Sequence, residues 1–255
     1  MNIVQSWSGG KDSTTAGCKH IELGHNVHFV CYVPYFDNEI PLISKKQFNY
    51  LLFMKDFLES LGAVVSFTSG LTYCDYCLKI ITRGPRKNLY QGFPLFMRGK
   101  CGFNRDSKTK SISKFIENLD YDFIDIGLCY DEFDRKQLKG NEISILQQLK
   151  YIELDCFSYC KSRCILSPVY DTSFRDGCVL CPNTKSIERY NWFNDYKEFN
   201  AFDRLVELQR KLYQNAIDNG VKFFYPLRNY HFFIENEEFV SPCGTNFFMF
   251  GSVIN

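Results

Sequence analysis

Short apolar runs alternate with amphipathic stretches from the first residues of the chain. Ile3-Val4-Gln5-Ser6-Trp7 is a β-prone run, and Asp12 to Leu23 follows with helical character. Val27 to Val33 reads as a second strand that stops at Pro34. Pro41 to Leu61 carries apolar positions near Phe48, Leu51, Leu52 and Phe57 in a helical pattern, and Gly62 ends it. Ala63 to Phe67 is a third strand, Ser107 to Leu119 a helix, and Tyr121 to Ile126 a further strand. Strands alternating with helices predict an α/β fold: a doubly wound, mostly parallel sheet with right-handed crossovers. The segment from Thr68 to Arg105 breaks the rhythm and reads as an excursion at about residues 68–106. Two helical patterns rich in Tyr, Phe and Leu run from Asn183 to Asn219, and roughly the last 35 residues are aromatic and strand-like. With no clean linker, the expectation is a main domain over 1–182 and a helical, aromatic C-terminal extension over 183–255.

The first strand runs directly into Ser8-Gly9-Gly10-Lys11-Asp12-Ser13. Two glycines allow a sharp turn that brings backbone N–H groups close to an anion. Ser8, Lys11 and Ser13 add donors, and the helix that follows turns its positive end toward the same place. A Walker A loop is excluded: it needs glycine where Gln5 stands and Ser or Thr where Asp12 stands. Asp12 itself reads either as a first-turn acid or as a group that positions a metal or the loop lysine.

Charge narrows the partners. Thirty Lys plus Arg against 29 Asp plus Glu leave no global basic bias for coating nucleic acid. A local patch is offered by Lys79, Arg83, Arg86, Lys87 and Arg98, read either as a loop for polyanions or as an ordinary solvated loop. No apolar run reaches membrane-span length, and charge and glycines interrupt the N-terminus by residue 9, so no membrane partner and a cytoplasmic location are expected. Twelve cysteines in such a chain point to metal binding or redox chemistry rather than a disulfide scaffold. Cys18 and Cys31 read as core fillers. Cys178-x-x-Cys181 has ligand spacing, stiffened by Pro182. Beyond the later strand, Gly127 permits close approach of a nucleotide, and Glu132 with Arg135 makes either a polar pair there or a surface ion pair.

The ordered set SGGKDS, Tyr90-Gln91-Gly92-Phe93-Pro94-Leu95, Cys101-Gly102-Phe103-Asn104-Arg105-Asp106, Gly127-Leu128-Cys129-Tyr130-Asp131-Glu132-Phe133-Asp134-Arg135 and Gly177-Cys178-Val179-Leu180-Cys181-Pro182-Asn183 resembles the phosphoadenosine phosphosulfate reductase-like proteins of phages and bacteria. They belong to the PP-loop, or adenine nucleotide alpha hydrolase, superfamily. The resemblance runs from about residue 3 to about residue 200. It implies an adenine nucleotide alpha hydrolase-like fold and ATP or a related adenine nucleotide as ligand, with Mg²⁺. Ser8, Gly9, Gly10, Lys11 and Ser13 would hold phosphates, Tyr32 and Val33 would meet adenine, and Gly127, Glu132 and Arg135 would lie by the nucleotide. Lys11, Asp12 and Ser13 would carry the chemistry, with Asp12 organising Mg²⁺. Cys101 and Cys160 match family cysteines, so Cys101, Cys160, Cys178 and Cys181 form an implied ligand set for zinc or an iron–sulfur cluster, with free core thiols as the alternative.

Three functions follow from that resemblance. One is cleavage of ATP between its α- and β-phosphates to adenylate an acceptor, a nucleic acid or a small molecule, as in sulfur transfer. The second is adenylyl-sulfate reduction, against which stands Ser241-Pro242-Cys243-Gly244: Cys-Gly is present, but the flanking Glu and His of the reductases are absent. The third is a non-catalytic nucleotide-binding subunit of a phage or defence complex, and a homo-oligomer or a partner enzyme is compatible with any of them. The Cys74-x-x-Cys77 pair is similar to one in iron–sulfur tRNA thiolases, but its Tyr- and Leu-rich setting favours a structural role.

Overall fold

In the computed structural model the described residues are 1–94, 96–97, 100–132, 134–171, 177–181, 186–220, 233–235 and 238–240. The elements are β1 (Asn2–Trp7), α1 (Lys11–Glu22), β2 (Asn26–Tyr32), α2 (Lys45–Ser60), β3 (Val64–Thr68), α3 (Tyr73–Leu78), β4 (Phe96–Met97), β5 (Lys100–Cys101), α4 (Lys110–Ile116), β6 (Phe123–Ile126), β7 (Glu142–Ile143), α5 (Ile145–Gln148), α6 (Glu153–Ser162), α7 (Ser186–Asp195), α8 (Ala201–Asp218), β8 (Phe233–Glu235) and β9 (Glu238–Val240). A π-helical turn, Asn104–Thr109, leads into α4. The predicted strands and helices are found with ends moved by a few residues; α3, β4, β5, β7, α5 and α6 are additional. Most of the aromatic C-terminal segment lies outside the described residues.

The chain divides into two compact units. The first comprises Met1–Val33, Lys46–Ser69 and Ser111–Gly177. Its five-stranded sheet has the order β3-β2-β1-β6-β7, with every pairing parallel. Ile3 pairs with Val27 on one side and Phe123 on the other. Helices cover both faces, so β1 and β2 each bury three consecutive residues and lack strict alternation. Val4 and Val30 pack with Ile116 of α4 on one face. On the other face, Ala16 of α1 packs with Cys129, Ile145, Leu146 and Cys156.

Helix α1 lies very close to β2 because Gly17 has no side chain. A Cβ there would stand 2.2 Å from Phe29 Cε1, and Phe29 is fully buried. Gly17→Ala should therefore be net destabilising by up to about 2 kcal/mol, since about 1–3 kcal/mol of overpacking is set against a propensity gain of about 1 kcal/mol. Urea unfolding would show a lower midpoint at unchanged slope. Wild-type or greater stability would mean that the Phe29 ring moves aside freely.

The second unit comprises Pro34–Lys45, Gly70–Lys110 and Cys178–Asn255. The excursion expected at 68–106 thus belongs mostly to a unit of its own, together with the C-terminal segment and the stretch before α2. Its core is aromatic: Phe36, Tyr73, Tyr76, Phe93, Phe103, Trp192 and Tyr196 gather with Leu205, Leu208 and Leu212 of α8. The Trp192 indole N–H donates to the Pro41 carbonyl at 2.7 Å, satisfying the one polar atom of a fully buried ring.

Candidate functional site

Strand β1 carries the chain to Ser8 at the carboxyl end of the sheet, where the backbone turns. Gly9 adopts φ +81°, and a Cβ would stand 2.6 Å from Leu51 Cδ2 and 2.9 Å from Gln47 Nε2. Glycine is required there by both conformation and space. Gly10 is the extended N-cap of α1. The first helical bond runs from Thr14 N–H to the Gly10 carbonyl at 3.0 Å, so the amides of Lys11, Asp12 and Ser13 precede the ladder.

Side chains staple this turn. Gly10 N–H donates to Ser8 Oγ at 3.3 Å, and Ser8 N–H donates to Ser13 Oγ at 3.3 Å. Ser13 Oγ in turn donates to the Gly10 carbonyl at 3.2 Å. Lys11 N–H reaches the Tyr170 hydroxyl at 3.1 Å, a contact that the sequence did not signal. The result is a rigid turn with a helix N-terminus behind it, a geometry suited to an anion.

Lys11 Nζ lies 2.9 and 3.0 Å from the two Asp12 oxygens and 3.1 Å from Glu153 Oε2. Partial burial works against its charge, but bonding to Asp12 and Glu153 more than offsets this and raises its pKa above the ordinary lysine value. The ammonium is therefore firmly charged at neutral pH.

The switch point of the sheet lies between β1 and β6: the chain winds outward through β2 and β3 on one side and through β7 on the other. Gly127 follows β6 there. A Cβ on Gly127 would stand 2.7 Å from Ser13 N and Cα and 3.0 Å from the Asp12 carbonyl carbon. The close approach it permits is thus to the first turn of α1.

Other predicted residues are placed around this end of the first unit. Tyr32 closes β2, and the buried Val33 continues its pairing by donating N–H to the Thr68 carbonyl at 2.9 Å. Glu132 and Arg135 form an ion pair on a turn after β6; Arg135 is exposed, and Glu132 Oε2 is buried without a partner among the described residues. The basic loop belongs to the second unit, where Arg86 Nη2 donates to the Gln91 carbonyl at 3.0 Å. Arg98 and Cys243 lie outside the described residues. A cavity of about 310 Å³ sits at the opposite, amino end of the strands, lined by Asn2, Val27, His28, Val64 and Tyr121 among others. Its lining includes the Gly62 turn but no lysine.

The implied cysteine set divides between the units. Cys101, Cys178 and Cys181 are in the second, where desolvation pushes the Cys178 thiol up to about 12, with Cys181 and Cys101 adding to the effect. Cys77 is fully buried in the same unit's aromatic core, in keeping with the structural reading of that pair. Cys160 is in the first unit, against Thr15 Oγ1 at 3.3 Å and the Lys11 carbonyl at 3.5 Å. Among the described residues, the group of three or more ligand-type side chains whose atoms all lie within 4.8 Å is Asp12, Cys129 and Cys156.

That group bears on Mg²⁺. The ion wants an octahedron of hard oxygens. Asp12 instead has two thiols and the Lys11 ammonium for neighbours, a donor set that does not fit Mg²⁺. The Cys129 thiol is held well above the ordinary thiol range by its bond to Cys156, by burial and by the Asp12 charge. Neither sulfur carried a spacing signal; topology alone unites a loop after β6 with helix α6.

No protein-family model matches the chain, and no curated protein matches it either.

Proposed function

We propose that the chain is an adenine-nucleotide-binding PP-loop enzyme of phosphoadenosine phosphosulfate reductase-like type, which cleaves ATP between the α- and β-phosphates and adenylates an acceptor. The observation that carries the reading is the stapled SGGKDS turn at the start of α1, set at the β1/β6 switch point with Gly127 closing in behind it. Ser8, Gly9, Gly10 and Ser13 bind the terminal pyrophosphate through backbone and hydroxyl donors. Lys11 exchanges carboxylate for phosphate oxygens and neutralises charge as the pyrophosphate leaves. Such positioning and charge stabilisation is what this chemistry asks of a protein. Mg²⁺ would arrive on the phosphates themselves, screening their charge. The acceptor is a nucleic acid or a small molecule, with sulfur transfer as the class of reaction.

Calorimetry with ATP tests the site. Lys11→Ala should weaken binding by about 1–3 kcal/mol, the scale of a charge-assisted contact. Unchanged affinity would remove the loop from the site. With the right acceptor the products should be AMP and pyrophosphate; ADP and inorganic phosphate would count against the reading. Sulfite formation abolished by Cys243→Ser would identify a reductase instead, and binding without turnover under any acceptor a non-catalytic subunit.

A further inference from the structure

We propose that Asp12, Cys129 and Cys156 form a binding site for one thiophilic divalent cation of the zinc class, built into the first turn of α1. Three elements supply the donors: α1 gives the carboxylate, the loop after β6 gives Cys129, and α6 gives Cys156. Both cysteines are fully buried, and Asp12 is partly accessible.

The spacing matches the chemistry. Cys129 Sγ lies 3.6 Å from Cys156 Sγ and 3.4 Å from Asp12 Oδ1. With metal–sulfur bonds of about 2.3 Å and metal–oxygen bonds of about 2.1 Å, a tetrahedron has edges of about 3.8 Å between sulfurs and about 3.6 Å between sulfur and oxygen. Both edges that meet at Cys129 therefore match to within a few tenths of an ångström, and the third, from Asp12 to Cys156, is no longer than 4.8 Å. Two thiolates and one carboxylate select a soft or borderline cation over Mg²⁺ or Ca²⁺. Uptake releases the two thiol protons to solvent. In the nucleotide-free chain charge then balances: two thiolates and a carboxylate are matched by a dication and the Lys11 ammonium that already holds Asp12. Three protein ligands leave a fourth position for water or another small donor. Cys160 is one helical turn beyond Cys156, but its sulfur is engaged with Thr15 and the Lys11 carbonyl and falls outside the tight group.

The site does not depend on the nucleotide reading, and its test uses no activity. The full chain, reduced and stripped with a chelator, is titrated with Co²⁺ under anaerobic conditions. The expected result includes a thiolate-to-cobalt charge-transfer band with tetrahedral visible bands, displaced by zinc. Cys129→Ser and Cys156→Ser should each remove most of the band intensity. Asp12→Asn, at a side chain that the core does not require, should leave the fold intact and weaken cobalt binding tenfold or more. Zinc should raise the unfolding midpoint of the wild type and not that of Cys129→Ser. A spectrum and affinity untouched by Asp12→Asn would overturn the proposal even if the serine variants failed to fold. So would a band that survives both serine substitutions, or a wild type that forms a Cys129–Cys156 disulfide in air and shows no cobalt band.

Discussion

Replacing Gly127 with alanine should lower stability by about 3 kcal/mol and, on the proposed nucleotide reading, weaken ATP binding about a hundredfold. Its neighbours explain the size of the effect. The new Cβ would stand 2.7 Å from Ser13 N and Cα and 3.0 Å from the Asp12 carbonyl carbon, all of them backbone atoms. A clash with the end of a side chain relaxes by rotation. A clash with the first turn of a helix relaxes only if the helix or the strand end moves, placing the cost at the upper end of the overpacking range. Any such movement also displaces the amides and the Ser13 hydroxyl that make the cradle, so folding and binding should fall together. Urea unfolding reads the first effect and calorimetry the second. Normal stability with lost binding would mean that Gly127 touches the nucleotide directly, whereas losing neither would mean that the turn yields easily.

Much of this was legible in the sequence, for identifiable reasons. The SGGKDS turn is local: its glycines, hydroxyls and following helix lie within a few residues, so pattern and structure coincide. The strands were legible because their apolar runs are continuous, with β2 and β6 ending at Pro34 and Gly127 and Gly62 separating β3 from the helix before it. The division into two units was not, because each unit is assembled from three separate pieces of chain. The stretch 34–45 joins the second unit although it sits between β2 and α2, and only tertiary packing decides that. Strand β7 escaped notice because it is two residues long and half of it is glutamate. The cysteines show the same limit. Cys178 and Cys181 share a turn and announce themselves by spacing, whereas Cys129 and Cys156 meet only because α6 packs on α1 beside the end of β6.

Asp125→Ala should be among the most damaging single substitutions in the first unit, costing about 3–5 kcal/mol. Asp125 stands in the middle of β6 and is fully buried. Its Oδ2 lies 2.6 Å from His20 Nε2 of α1 and accepts the Ile145 N–H at 2.9 Å, while the Asp125 carbonyl accepts from Gln5 Nε2 at 3.4 Å. His20 is itself 1 % exposed, and its other ring nitrogen lies 3.0 Å from His25 Nδ1. Removing the carboxylate leaves a buried ring nitrogen and a buried amide without their acceptor, and no route to water replaces it. The loss falls on the contacts that seat α1 and α5 against β6, the elements that frame the SGGKDS turn. Asp125→Asn keeps an oxygen in place and should cost less. His20→Leu should cost less in the Asp125→Ala background than in the wild type, because the ring it removes is by then already unpaired. Urea unfolding of the four chains in this cycle measures the coupling. A loss below about 1 kcal/mol for Asp125→Ala would show that the pair contributes little and that its neighbours satisfy one another without it.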